Sequence, residues 1–183
     1  MKKTVCLFLA LTLALLLCAA SFAEEEAAAL TSFEATEEPD PYVEKLGAKF
    51  EFTTTDLDGN TVSSADLFSQ NKATLVNVWT TWCVPCIGEM EELQAIHTLM
   101  QKNGGGVVGM LMDDDLDAAR ALITAYGITY PVILAPDNMD DFMHIDVFPT
   151  SLFFARNGTM AEEPIAGVRV ERYITVLNDL LRQ

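Results

Sequence analysis

Histidine, positive charge and long apolar runs are what this sequence has least of. Histidine occurs twice, at His97 and His144, and the cysteines form one C-x-x-C, Cys83 and Cys86, with no second. A structural zinc site needs four ligands. His97 falls about three helical turns beyond the pair, too far along the same helix to close on it, so zinc is disfavoured and no metal is expected. Eleven lysines and arginines stand against 27 aspartates and glutamates, a formal net charge of −16. Such a surface repels nucleic acid and anionic membranes, and no basic patch offsets it. The longest apolar run, Val5 to Leu17, is interrupted by Thr12 and falls short of the ~20 residues that cross a bilayer. No internal repeat is visible.

What is there begins with a leader. Lys2 and Lys3 precede the apolar run, and Ser21-Phe22-Ala23 puts small residues where a signal peptidase reads. Residues 1–23 are expected to be a signal peptide and the protein to be exported, to the periplasm or another extracytoplasmic compartment. A retained N-terminal segment would instead tether it to the membrane. Lipidation at Cys18 is disfavoured by Leu17, where that signal wants a small residue. Cleavage after Ala23 leaves Cys83 and Cys86 as the remaining cysteines and makes the chain still more acidic. Residues 24–47 are rich in glutamate and poor in large apolar groups, and read as a flexible acidic linker.

Residues 48–183 have the size and patterning of one domain. Phe50 and Phe52 alternate as on one strand face, and Asp58-Gly59 signals a hairpin. Ala73 to Thr80 and Gly106 to Met112 are apolar on both faces, as buried parallel strands should be. Between them a helix is expected from about Val84 to Asn103-Gly104, with Ile87, Met90, Leu93 and Met100 near helical period. Asp114 or Asp115 caps a further helix that Gly127 ends. "YPVILA" reads as a short strand, and Asp140 to His144 as a brief helix. Thr150 to Ala155 then turns at Asn157-Gly158 into a returning strand, Met160 to Ile165. A final helix carries Val170, Tyr173, Ile174, Leu177, Leu180 and Leu181 on one face. The order predicts an α/β fold, a mixed central sheet with helices on both faces and an added N-terminal hairpin.

On this frame Cys83 follows the carboxyl end of a buried strand and opens the next helix, where α/β sheets place their chemistry. Unpaired N–H groups and the helix dipole there stabilise a thiolate. Cys86, one turn inside, is the less accessible sulfur. Cys83 then attacks and Cys86 resolves the mixed disulfide. A structural disulfide is the alternative, although so short a loop removes little unfolded-state entropy.

"LVNVWTTWCVPCIGEMEEL" resembles the active-site segment of the thioredoxin superfamily, in particular its TlpA/ResA-like exported thiol–disulfide oxidoreductases. "TTTDLDGNTVSSADL" is similar to that family's opening hairpin, "DVFPTSLFFARNG" to its cis-proline strand and turn, and Gly167 to the glycine before its last helix. The resemblance implies a thioredoxin-like fold and no cofactor beyond a redox-active Cys83–Cys86 disulfide. It implies a cis-proline at Pro149 and a substrate-binding face made by Trp82, Val84, Pro85, Phe148 and Pro149. Trp82 would cover the sulfurs, while Trp79 packs in the core.

Asn77 stands where cytoplasmic thioredoxins carry a buried aspartate, and an amide cannot take a proton. Glu89, which the family's ResA-like members share, would accept the proton of Cys86 if half-buried, or is an ordinary solvated glutamate. Two positions depart from the pattern. Ile87 replaces the usual Lys or Arg, and Glu91 replaces a helix-kinking proline, which makes the site less cationic. The expected activity is reduction of protein disulfides by a monomer, with apocytochrome c or oxidised repair enzymes as substrates and a membrane electron donor of the CcdA/DsbD type. A thiol peroxidase is one alternative, since Thr80 lies three residues before Cys83, and a non-catalytic peptide-binding module is another.

Overall fold

A computed structural model describes residues 45–183. The leader, Cys18 and nearly all of the acidic segment lie outside the described residues. The last of that segment, Lys45 to Gly47, is tied to the domain: the Gly47 N–H donates to the Met160 carbonyl at 2.8 Å.

Seven strands and six helices follow. A hairpin of β1 (Thr53–Thr55) and β2 (Thr61–Ser63) comes first. Helix α1 (Ser64–Ser69) leads to β3 (Ala73–Trp79), α2 (Val84–Gly88), α3 (Met90–Gln101) and β4 (Gly105–Leu111). Then come α4 (Leu116–Ala125), β5 (Val132–Leu134), α5 (Met139–Phe142), β6 (Thr150–Ala155), β7 (Met160–Ala166) and α6 (Val170–Leu181). The main sheet runs β5-β4-β3-β6-β7. Strands β3, β4 and β5 are parallel, and β6 and β7 join antiparallel. The mixed sheet and the hairpin are as expected.

Every residue of β3 and β4 is buried, because the sheet is covered on both faces. Alternation along β3 sends Leu75 and Trp79 to the face covered by α2, α3, α4 and α6, and Val76 and Val78 to the face covered by α1 and α5. In β4, Gly109 leaves room for both neighbours: a Cβ there would sit 3.2 Å from Trp79 Nε1 and 3.3 Å from the Tyr130 ring.

Three local expectations change. Phe50 and Phe52 precede β1 rather than lie on a strand, yet both rings are buried, Phe50 stacked with Phe142 and Phe154 and Phe52 edge-on to Phe68. Helix α1 was not anticipated, because its apolar stripe is only Leu67 and Phe68. Its signal is a cap: Ser63 Oγ accepts the Asp66 N–H at 3.1 Å. The long helix after Val84 is broken in two at Glu89, which ends α2 and starts α3. The break needs no proline. Glu89 turns its side chain into the sheet, and its N–H closes a tighter turn on the Cys86 carbonyl at 3.3 Å. Asp115, not Asp114, caps α4.

His97 is spent on structure. It is 6 % exposed, and its Nδ1 accepts the Val107 N–H at 3.1 Å, which ties α3 to β4. That bond requires the neutral ring, and burial holds the imidazole below its ordinary pKa. A base with a lowered folded pKa loses its contribution as pH falls through the unfolded value, ~6.5. The stability advantage of wild type over His97→Gln should therefore shrink on acidification, by up to about 1.4 kcal/mol per pH unit below that value. Urea unfolding of both proteins across this range measures the difference, and parallel curves would refute the assignment.

Candidate active site

Strand β3 ends at Trp79, and its parallel partner β4 ends at Leu111, so both chains leave the sheet at the same edge. The loop after β4 holds the loop after β3 in place: the Thr81 N–H donates to Asp113 Oδ2, and the Asp115 N–H to Asp113 Oδ1. The chain then enters α2 with Cys83 as its N-cap and Pro85 in the first turn. Proline suits that position, where its missing N–H costs nothing.

Cys83 and Cys86 are joined as a disulfide. Cys83 Sγ also accepts the Cys86 N–H at 3.2 Å, one of the free donors of the helix start. Cys83 is 5 % exposed and Cys86 1 %, the order expected of an attacking and a resolving sulfur. Trp82 is 68 % exposed, and its ring meets Phe148 edge-on at 5.9 Å. The Phe148–Pro149 peptide is cis, as the resemblance implied. Val84 and Pro85 are exposed beside the cysteines, Phe148 is half-buried and Pro149 buried.

Glu89 is more deeply placed than expected. It is 1 % exposed, which excludes the solvated alternative. Its Oε1 accepts from Asn77 Nδ2 at 2.7 Å, and its Oε2 lies 3.2 Å from Tyr173 Oη. Burial pushes its pKa up to about 7, against the opposing hydrogen bond of Asn77. Between the ordinary 4.5 and about 7 the folded state holds a proton that the unfolded state has lost. Glu89 thus costs stability as pH rises through that window, and a buried carboxyl kept at such a cost points to chemistry.

The polar cluster under the disulfide contains two residues that sequence reasoning did not assign. Ser151 Oγ accepts from Asn77 Nδ2 at 3.3 Å, and Tyr173 donates to the Gly167 carbonyl at 2.8 Å. Ser151 carried a signal, a hydroxyl in an otherwise apolar buried strand two residues after Pro149. Tyr173 carried none, since a tyrosine on the apolar face of a helix reads as core. Among the described residues no group of histidine, cysteine, aspartate and glutamate is placed to hold a metal ion. No helix among them is long and apolar enough to cross a membrane.

A dithiol pair at a helix start, a cis-proline beside it and a buried acid behind it form a recognisable set, and residues 43–176 match the family described as Redoxin. The chain belongs to the Redoxin family. Within it, the chain is 29% identical over 129 residues to the "Thiol-disulfide oxidoreductase ResA" of Oceanobacillus iheyensis, covering 70% of this chain and 66% of that protein. It is 26% identical over 115 residues to the protein of the same name from Bacillus anthracis, covering 62% and 65%. The chain thus spans just under two thirds of the length of these relatives. Among solved structures, a thiol:disulfide interchange protein of the thioredoxin family from Chlorobium tepidum TLS superposes with a TM-score of 0.64 at 26% identity. The match covers 75% of this chain and 97% of that one. A secreted thiol-disulfide isomerase from Corynebacterium glutamicum gives a TM-score of 0.64 at 25% identity, covering 74% and 86%. This Redoxin domain therefore has the thioredoxin-like fold, with its C-x-x-C just beyond the carboxyl ends of the parallel strands.

Proposed function

We propose that the chain is an exported thiol–disulfide oxidoreductase that reduces protein disulfides. The observation that carries this is the Cys83–Cys86 disulfide at a helix start, backed by the buried carboxyl of Glu89 one turn on. The names of its relatives and its leader-like N-terminus support the same reading.

In the reduced protein the Cys83 thiolate attacks one sulfur of a substrate disulfide, and the other substrate sulfur leaves as a thiolate that takes a proton from water. Cys86 then loses its proton to the Glu89 carboxylate and attacks Cys83. The internal disulfide forms, and the substrate's second thiolate is released. Glu89 ends as the acid, and returns the proton to Cys86 when an external dithiol reduces the pair. A membrane donor of the CcdA/DsbD type would supply those electrons in a compartment without a reducing thiol pool. Apocytochrome c and oxidised repair enzymes are the proposed substrates.

The surface around the sulfurs suits an extended peptide. Trp82, Val84, Val147 and Val168 are four of the six large apolar side chains exposed among the described residues, and all belong to the cysteine turn, the Pro149 loop or the Gly167 turn. Main-chain pairing beside Pro149, with apolar contact on either side, gives affinity with little demand on sequence.

Two measurements test the reading. In dithiothreitol redox buffers the pair should titrate reversibly, and the protein should accelerate insulin reduction. Glu89→Gln should slow resolution of the mixed disulfide about a hundredfold near neutral pH. The difference should fade above the ordinary thiol pKa of ~8.5, where Cys86 ionises unaided. A pair that resists mild reductants would defeat the proposal; a Glu89→Gln protein with the wild-type pH profile would remove Glu89 from it.

A further inference from the structure

Tyr173 Oη lies between two oxygens, the Gly167 carbonyl at 2.8 Å and Glu89 Oε2 at 3.2 Å. A phenol has one proton to donate, and a backbone carbonyl can only accept. The shorter contact is the better O–H···O bond and takes the single phenol proton. The phenol proton is therefore held by Gly167, and Tyr173 faces Glu89 as an acceptor. An ionised carboxylate there would set two acceptors against each other in a buried site. A carboxylic acid resolves the conflict, with its proton on Oε2 directed at Tyr173 Oη.

The remaining groups agree. Asn77 gives one amide hydrogen to Glu89 Oε1 at 2.7 Å and the other to Ser151 Oγ at 3.3 Å, so Oε1 is the carbonyl-like oxygen. Every element packed on the carboxyl is then accounted for: Asn77 from β3, Ser151 from β6, Tyr173 from α6, Glu92 from α3, and Tyr130 from the loop before β5. Glu92 acts on it through charge, and the carboxyl's own charge acts on Tyr130.

We infer that Tyr173 is a positioning residue for the redox site, its hydroxyl fixed by Gly167 so as to receive the carboxyl proton of Glu89 while the disulfide is closed. The inference rests on the proposed role of Glu89 and adds where the proton goes. When Cys86 S–H gives its proton to the carboxylate and its electron pair to the new S–S bond, the proton comes to rest on Oε2 against Tyr173. When the disulfide is reduced, the proton returns to Cys86. Gly167 makes this arrangement part of the substrate side. Its N–H donates to the Pro149 carbonyl at 2.7 Å while its C=O accepts from Tyr173. One residue, held in a turn at φ 73°, joins the cis-proline to the proton store.

Infrared spectroscopy of the oxidised full chain tests this. Wild type should show a buried carboxylic-acid C=O band below about pH 7 that Glu89→Gln lacks. In Tyr173→Phe the band should move to higher frequency, and its titration midpoint should fall by about half to one pH unit as the acid loses its acceptor. The mixed-disulfide resolution profile should shift with it. A rise of the midpoint would mean that Tyr173 donates to the carboxylate, and would overturn the inference. So would an unchanged band in Tyr173→Phe, with Glu89 retaining its role. Absence of any acid band in wild type would instead remove the reading of Glu89 itself. If Tyr173→Phe fails to fold, wild type with 13C-labelled tyrosine serves. The tyrosine C–O stretch must change as Glu89 titrates, and a constant stretch refutes the contact.

Discussion

Cys83→Ser should reduce insulin no faster than dithiothreitol alone, while Cys86→Ala should still attack substrates and remain bound to them. The difference follows from position. Cys83 caps α2 and receives the Cys86 N–H, so its thiolate is the one that the helix start stabilises. A serine hydroxyl at that position stays protonated and cannot attack a disulfide, so the first step is lost altogether. Cys86, at 1 % exposure, is shielded from an incoming protein, but it is already bonded to Cys83 in the closed state and so lies within reach of it. Removing it stops only the release step. Exported extracts treated with Cys86→Ala should yield mixed disulfides through Cys83, visible as adducts on non-reducing gels that dithiothreitol dissolves. The double variant should yield none. Adducts that form through Cys86 in Cys83→Ser, at rates equal to those of Cys86→Ala, would reverse the assigned order.

The second large effect concerns the support of the site rather than its chemistry. Phe154→Ala should destabilise the domain by about 3–5 kcal/mol. Phe154 is fully buried in β6, with ring centroids 4.6 Å from Phe68, 6.1 Å from Phe50 and 6.2 Å from Phe142. Truncation removes an aromatic ring from a cluster built by four separate segments, which cannot close over the space together. Domains of this size have roughly 5–15 kcal/mol in all, so a large share of the population would unfold at modest urea concentration. Trp82→Ala, by contrast, should change stability by less than about 0.5 kcal/mol, because the ring is already 68 % exposed. Equilibrium urea unfolding compares the two. A loss below about 1 kcal/mol for Phe154→Ala would show that the cluster repacks.

Much of the site was legible because it is local. Trp82, Cys83, Pro85 and Cys86 lie within one turn of a helix start, and the strand before them has an unmistakable apolar pattern. Pro149 was legible through the resemblance of its segment. The burial of Glu89 was legible only as one of two readings, since a glutamate followed by Glu91 and Glu92 also reads as part of a solvated face. It is buried because the helix breaks at that residue and turns it toward Asn77. Phe50 and Phe52 alternate like a strand, yet the chain beside them makes an isolated bridge, Lys49 to Thr159, and their rings are what the fold uses. Helix α1 is too short for periodicity to register, and only its Ser63 cap announces it.

What the sequence determined by itself is the chemistry at hand: one reactive cysteine pair at a helix start, few alternative ligands and a strongly acidic surface. These depend on residue type and on spacings of a few residues, which local backbone geometry converts directly into position. Tertiary structure alone decided the protonation of the site. Asn77, Glu89, Ser151, Gly167 and Tyr173 come from five different parts of the chain. Only the packing of α6 against the sheet brings the Tyr173 hydroxyl, already held by Gly167, up to a carboxyl removed from water. Burial and the direction of one hydroxyl proton set whether that carboxyl is acid or base, and neither can be read along the chain.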